Sequence, residues 1–128
     1  RSAARPNGGV LVDSLHLARS GGSPADLDAV ERHLLPYLQV ADAPGGSADR
    51  SIGDLLHEAL HGRLLVGDGG LPIRGLLDTV PDVPLSFEPR SKQLMTDHPD
   101  PVDRAAAVLA SWRRFVDIDV EARPTPAS

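Results

Sequence analysis

The chain has 128 residues, of which 41% are hydrophobic and 24% charged, with a net charge of −5 and no cysteine. That balance suits one folded globular domain and excludes a disulfide framework or a thiolate metal site. It also disfavours nucleic acid as a partner, because the excess negative charge repels phosphates and no Lys/Arg run offsets it.

Gly8-Gly9 leads into Val10-Leu11-Val12, a short apolar run ending at Asp13, which predicts a buried parallel strand with a polar group at its C-terminal end. His16 follows three residues later, on the same face as Asp13 if a helical turn comes next. Ser23 as N-cap, Pro24 behind it, and Leu27, Val30 and Leu34 at helical spacing predict a helix over about 24–35, stopped by Pro36. Tyr37 to Asp42 is the second predicted strand, with Gln39 and Asp42 as its polar members, and Ala43-Pro44-Gly45-Gly46-Ser47 reads as a loop of the length enzymes place over a site. Ser51 then caps a helix with Ile52, Leu55, Leu56, Ala59 and Leu60 as apolar positions and Asp54 placed for a capping box.

Val66-Gly67-Asp68-Gly69-Gly70 must be a loop, since three glycines in four positions cost a regular element too much entropy. A short helix around Ile73 to Val80 and a third strand, Pro84 to Glu88, follow. Asp100 with Pro101 opens a final helix whose apolar face is read as Val102, Ala105, Ala106, Leu109, Trp112 and Val116. Residues 1–7 are expected to be irregular, 8–118 to form the domain and 119–128 a flexible tail. Alternation of strands and helices implies an α/β fold with parallel strands and right-handed crossovers. With aromatics at only 3%, the core must be Leu, Val, Ile and Ala.

Each strand delivers polar groups near its C-terminal end: Asp13 with His16, Gln39 with Asp42, and Glu88 with Arg90. In parallel barrels that edge is where ligand sites assemble. Two carboxylates, a histidine and an amide suit a hard or borderline divalent cation. Asp13 serves either as a ligand or as a cap of the turn after its strand. His16 is either a site residue or a surface histidine. Gln39 and Glu88 sit in apolar strands and need partners. Arg63 is either a helix C-terminal charge or an anion-binding group beside the glycine loop, itself a weak phosphate signal. His33, His57, His61 and His98 are expected to be solvated.

Four blocks, Val10-Leu11-Val12-Asp13-Ser14-Leu15-His16, Tyr37-Leu38-Gln39-Val40-Ala41-Asp42-Ala43-Pro44, Gly62 to Pro72 and Val83-Pro84-Leu85-Ser86-Phe87-Glu88, occur in an order that resembles the sugar phosphate isomerase/epimerase family, across about residues 8–116. The resemblance implies a xylose isomerase-like TIM barrel. Because a complete (β/α)8 barrel needs roughly 250 residues, the chain is expected to be its C-terminal portion, about the last three or four βα units. The start at Arg1 fits that expectation of a truncated or processed product.

The resemblance further implies a divalent metal (Mn, Mg, Co or Zn) on Asp13, Gln39 and Glu88, a small polyhydroxy substrate contacted by His16 and Arg63, and Glu88 with His16 as catalytic groups. Gln39 stands where the family often has histidine and looks like the related 3-dehydroshikimate dehydratases. The glycine loop, Val66-Gly67-Asp68-Gly69, departs from the family's Pro-Gly-Glu-Gly. A fourth ligand, normally glutamate, has no counterpart. The implied function is metal-dependent isomerisation or epimerisation of a small sugar or sugar phosphate by proton transfer beside a carbonyl. A dehydratase-like lyase and a non-catalytic truncated fragment are the alternatives, the last with half a barrel's interior left for a missing N-terminal half or a second copy to cover. No apolar run approaches the roughly 18 residues of a membrane span, so no membrane partner and a cytoplasmic location are expected.

Overall fold

The computed structural model describes residues 7–46 and 50–122, the side chains of 118–122 excepted. Val12, Leu38 and Val40 are buried, and the three strands that alternate around them form one parallel sheet. β1 (Val12–Asp13) pairs with β2 (Leu38–Val40), and β2 with β3 (Leu85–Phe87), in the order β1-β2-β3. Val12 lies opposite Leu38, Asp13 opposite Gln39, and Gln39 opposite Ser86. Register partners leave the same face of a sheet. Val12, Leu38 and Leu85 therefore point to one side and Asp13, Gln39 and Ser86 to the other. The first side is the core, where Leu27, Leu35, Val66, Ile73, Leu76 and Val80 close over the sheet.

The strands are shorter than the sequence predicts: Val10 and Leu11, predicted as buried strand, lie before β1 and are each 46% exposed, and β2 and β3 are three residues each. Ser14 opens α1 (Ser14–Arg19), and its buried Oγ donates to the Ala41 carbonyl (2.6 Å) while accepting from the Ala41 N–H (3.0 Å). One hydroxyl thus carries the β1–β2 ladder one residue further and fixes the start of α1 on the sheet edge.

The helix predicted over 24–35 does not form. Two 3-10 turns, Pro24–Leu27 and Arg32–Leu34, take its place. The spacing of Leu27 and Val30 fits three residues per turn as well as 3.6, so it could not tell the two apart. Glu31 is extended (φ −57, ψ 129), and Leu35 before Pro36 is driven out of the helical region (φ −106, ψ 78).

α2 (Ile52–His61) starts as predicted, with Ser51 Oγ accepting from the Asp54 N–H at 3.1 Å and the Asp54 carboxylate accepting from the Ser51 N–H at 3.2 Å. Its apolar positions are not in the core: Ile52 is 85% and Leu56 57% exposed, and the buried residue is Glu58. α3 (Ile73–Thr79) packs Ile73 and Leu76 into the core. α4 (Lys92–Asp97), capped by Ser91, had no periodic signal in its six residues.

α5 (Pro101–Ala122) is capped by Asp100, whose Oδ1 accepts from the N–H groups of Val102 (2.7 Å) and Asp103 (3.2 Å). Its docking face keeps Trp112 from the predicted one and otherwise differs. Ser111 is buried and Trp112 and Phe115 pack on the core, while Val102 (73%) and Leu109 (43%) face outward. The alanine-rich first half fixes no phase. Phase is set by aromatic contacts instead: Phe87 to Trp112 at 5.4 Å, Trp112 to Phe115 at 6.0 Å, and the Arg74 guanidinium 4.2 Å above the Phe115 ring. α5 runs to Ala122, past the tail boundary expected at 119; residues 1–6 and 123–128, where the irregular start and the rest of the tail were expected, lie outside the described residues.

Candidate active site at the C-terminal edge of the sheet

Asp13 ends β1 and caps α1. Its Oδ1 accepts from the N–H groups of Leu15 (2.9 Å) and His16 (3.0 Å), so the capping role is realised. Its Oδ2 is still directed elsewhere, to Arg63 Nη1 at 2.7 Å, with the two side chains 7% and 3% exposed.

Arg63 gathers the edge together. Its Nε donates to the Ala59 carbonyl in the last turn of α2 (3.0 Å), its Nη1 also lies 3.5 Å from Glu88 Oε2, and its Nη2 is 3.4 Å from His16 Nε2. One buried guanidinium therefore joins residues from the ends of β1, α1 and β3. Arg63 does not serve the glycine loop.

Gln39 is half-buried and has no side-chain hydrogen bond among the described residues. Asp13, His16 and Gln39 line one cavity of about 830 Å³, within the usual range for small-molecule sites. Apolar walls come from Leu11 on the strand side and from Ile52, Leu55, Leu56 and Ala59 of α2, with Arg19 and Ser20 also lining it. The face of α2 that the core leaves unused is thus a wall of this cavity.

Asp42, paired with Gln39 in the sequence as a polar strand-end group, has a different task. Buried at 2% exposure, it accepts from four backbone N–H groups: Ala43 (2.9 Å) and Leu71 (3.0 Å) on Oδ1, Gly67 and Gly69 (both 3.1 Å) on Oδ2. The amides that a phosphate would use are filled by the protein's own carboxylate. Gly67 adopts φ 91, and a Cβ on Gly69 would collide with the Ala43 carbonyl and the Asp42 carboxylate.

The loop after β2 is held by residues the sequence did not single out. Arg19 grips Glu58 with two bonds (Nε to Oε2 2.7 Å, Nη2 to Oε1 2.9 Å) and donates to the carbonyls of Pro44 (2.7 Å) and Gly46 (3.1 Å). Arg50 Nη1 adds a third bond to Glu58 Oε1 at 2.8 Å. The hydrogen bonds from Arg19 outweigh burial and hold the Glu58 carboxyl below the ordinary glutamate range; the same bond raises Arg19. Of the four histidines expected to be solvated, His33 and His57 are exposed, whereas His61 and His98 are half-buried because the β3–α4 loop and the start of α5 fold back beside them.

Asp13, Gln39 and Glu88 offer oxygen donors of the kind a hard divalent cation takes. Each carboxylate keeps lone pairs beyond the bonds to Arg63 and the backbone. Among the described residues no group of three or more His, Cys, Asp or Glu is arranged to hold an ion. The three residues thus supply oxygen donors of suitable chemistry, while in this structure the Asp13 and Glu88 carboxylates converge on the Arg63 guanidinium.

No protein-family model matches the chain, and no curated protein does. Among solved structures, it is similar to the IolI protein with a bound zinc atom, at 16% identity and a TM-score of 0.64, over 94% of this chain and 41% of that one. It is also similar to a xylose isomerase domain protein from Alicyclobacillus acidocaldarius subsp. acidocaldarius, at 28% identity and a TM-score of 0.55, over 84% of this chain and 36% of that one. The chain spans about two fifths of the length of these structures. They support the xylose isomerase-like superfamily and a mixed α/β fold with a parallel sheet. No described helix is long and apolar enough to cross a membrane.

Proposed function

We propose that the chain is the C-terminal portion of a xylose isomerase-like barrel and supplies half of the active site of a metal-dependent isomerase or epimerase acting on a small sugar or sugar phosphate. The carrying observation is the convergence of Asp13, His16, Arg63 and Glu88 beside a cavity that Gln39 also lines, at the C-terminal edge of a parallel sheet. Asp13, Gln39 and Glu88 would hold the divalent cation, which when bound stabilises negative charge on neighbouring substrate oxygens.

Glu88 would remove and return the proton on the carbon beside the substrate carbonyl. His16 faces the cavity and donates a hydrogen bond to the oxygen on which charge develops. Arg63 acts by position, fixing Asp13 and Glu88 relative to each other, and its contact with a distal hydroxyl or anionic group of the substrate would run through the Nη2 that now faces His16. A further carboxylate from outside these residues completes the acid–base pair.

The test is incubation of the protein with Mn2+ in D2O against a panel of ketoses, ketose phosphates and 3-dehydroshikimate, followed by NMR and ultraviolet absorbance. Deuterium at the carbon beside the carbonyl, absent with Glu88→Gln, supports the proposal. An ultraviolet-absorbing aromatic product from 3-dehydroshikimate instead replaces isomerisation with the lyase reading that Gln39 suggests. No exchange with the protein supplemented by every upstream segment its coding sequence specifies contradicts both.

A further inference from the structure

A second cleft, of about 450 Å³, lies where the C-terminal end of α2 meets the β3–α4 loop and α5. Its ionisable lining is basic: His61 from α2, Arg90 and Lys92 from the loop and the start of α4, and Arg104 from α5, with Ser91 beside them and no Asp or Glu among the lining residues. In a chain of net charge −5 such a concentration needs a reason. The nearby acids are committed elsewhere. Glu88 is turned to Arg63, Asp97 accepts from Gln93 (2.8 Å), and Asp100 caps α5.

Two of the cations are poised and one is fixed. Neither Arg90 nor Lys92 has a side-chain hydrogen bond or ion pair among the described residues. Arg104, which lines the cleft, is anchored through Nη1 to the carbonyls of His98 (2.8 Å) and Pro99 (2.7 Å), and its Nε and Nη2 make no further hydrogen bond among the described residues. Holding several like charges around one concavity raises their mutual energy unless an anion enters. His61 reports that field. It is kept below the ordinary histidine range first by desolvation and then by the charges of Lys92, His57 and Arg90.

We propose that this cleft binds a dianionic phosphate group, held by Arg90, Lys92 and Arg104 with His61 completing the ring of donors. Guanidinium forks and an ammonium group match phosphate oxygens in geometry and charge. The cleft is separate from the glycine loop, whose amides Asp42 fills. It begins on the backbone that carries Glu88, since the Arg90 N–H donates to the Glu88 carbonyl at 2.9 Å. The proposal holds whether or not the Asp13–Glu88 site is catalytic.

The test is a titration of the 128-residue chain with inorganic phosphate, followed by calorimetry and by NMR of the His61 ring, and repeated with a ketose phosphate and the corresponding free ketose. Saturable 1:1 binding is expected, with the His61 pKa moving upward as the phosphate offsets the charges of Lys92 and Arg90. Arg90→Gln with Lys92→Gln should weaken it roughly tenfold or more, each lost charge-assisted bond being worth up to about that factor. Arg113→Gln with Arg114→Gln, on the exposed side of α5, should leave it within about twofold, since these residues lie outside the cleft. Tighter binding of the ketose phosphate than of phosphate, with no binding of the ketose at this cleft, makes the substrate the source of the group; equal affinities make free phosphate the ligand. Absence of binding, an unmoved His61, or equal losses in the two double variants overturns the proposal.

Discussion

Removing the charge of Asp13 while keeping its shape separates what its two oxygens do. In Asp13→Asn the amide oxygen can still cap α1, but the pair with Arg63, at 2.7 Å and with both side chains under a tenth exposed, is lost. Breaking a buried pair from one side costs about 3–5 kcal/mol. Here Glu88 at 3.5 Å and the Ala59 carbonyl still partner Arg63, which places the loss near the lower figure. Asp13→Ala also removes the cap and should cost about 1 kcal/mol more. With a urea slope of about 1–3 kcal/mol/M, a loss of that size moves the unfolding midpoint of Asp13→Asn down by roughly 1–3 M. In a cycle with Arg63→Met, the double variant should be more stable than the sum of the singles requires, because neither leaves a buried charge uncompensated. Urea unfolding at pH 7, followed by circular dichroism, measures all five proteins. A midpoint for Asp13→Asn within about 0.2 M of the unaltered chain, a shift worth only a few tenths of a kcal/mol, would refute the view that this pair organises the edge.

Asp42→Asn should cost roughly 3–5 kcal/mol, read by urea unfolding, because an amide accepts at one oxygen only and turns an NH2 toward two of the four backbone donors. Gly69→Ala should be destabilising by about 1–3 kcal/mol, measured in the same way, since its Cβ meets backbone and a pinned carboxylate. Glu58 has a folded-state pKa below its unfolded one, so its contribution is fully present above the unfolded value and is lost as the pH falls through the folded value. The stability gap between the unaltered chain and Glu58→Gln should thus be constant near neutrality and shrink below about pH 4, as thermal melts across pH will show. Arg63→Lys should reduce any isomerase turnover by about a hundredfold while preserving much of the fold, because an ammonium cannot reach Asp13, Glu88 and the Ala59 carbonyl together; initial rates with the ketose substrate check this.

The alternation of apolar runs made the three parallel strands readable, since Val12, Leu38, Val40 and Leu85 are buried or half-buried for the reason the sequence suggests. Two helix N-termini, at Ser51 and Asp100, were readable from capping chemistry alone. The element between Pro24 and Leu34 was not, because apolar spacing of three does not separate 3-10 turns from an α-helix. The faces of α2 and α5 were misread for a related reason: periodicity shows that a helix has an apolar stripe without saying what covers it. On α2 the stripe lines the cavity, and on α5 Trp112 of the stripe packs together with Phe115 from outside it while Val102 and Leu109 face outward.

At the site, Asp13, His16 and Glu88 could be nominated from strand ends. The central position of Arg63 could not, because it follows from a loop whose path is fixed by backbone pairing of Leu64 with Asp42 and of Gly62 with Ser91. Asp42 was visible as a buried strand-end acid, but its role required seeing Gly67, Gly69 and Leu71 return to it. Ser14, Arg19 and Glu58 carried no signal beyond ordinary helix composition.

The central claim is that Asp13, Gln39 and Glu88 share one divalent cation. Titration of the protein with Mn2+, followed by electron paramagnetic resonance of the free ion, measures it directly. The account requires one saturable site, weakened about tenfold or more by Glu88→Gln and by Asp13→Asn, as expected when a charged ligand becomes neutral. Binding that is undetectable, or that both variants leave unchanged, contradicts it.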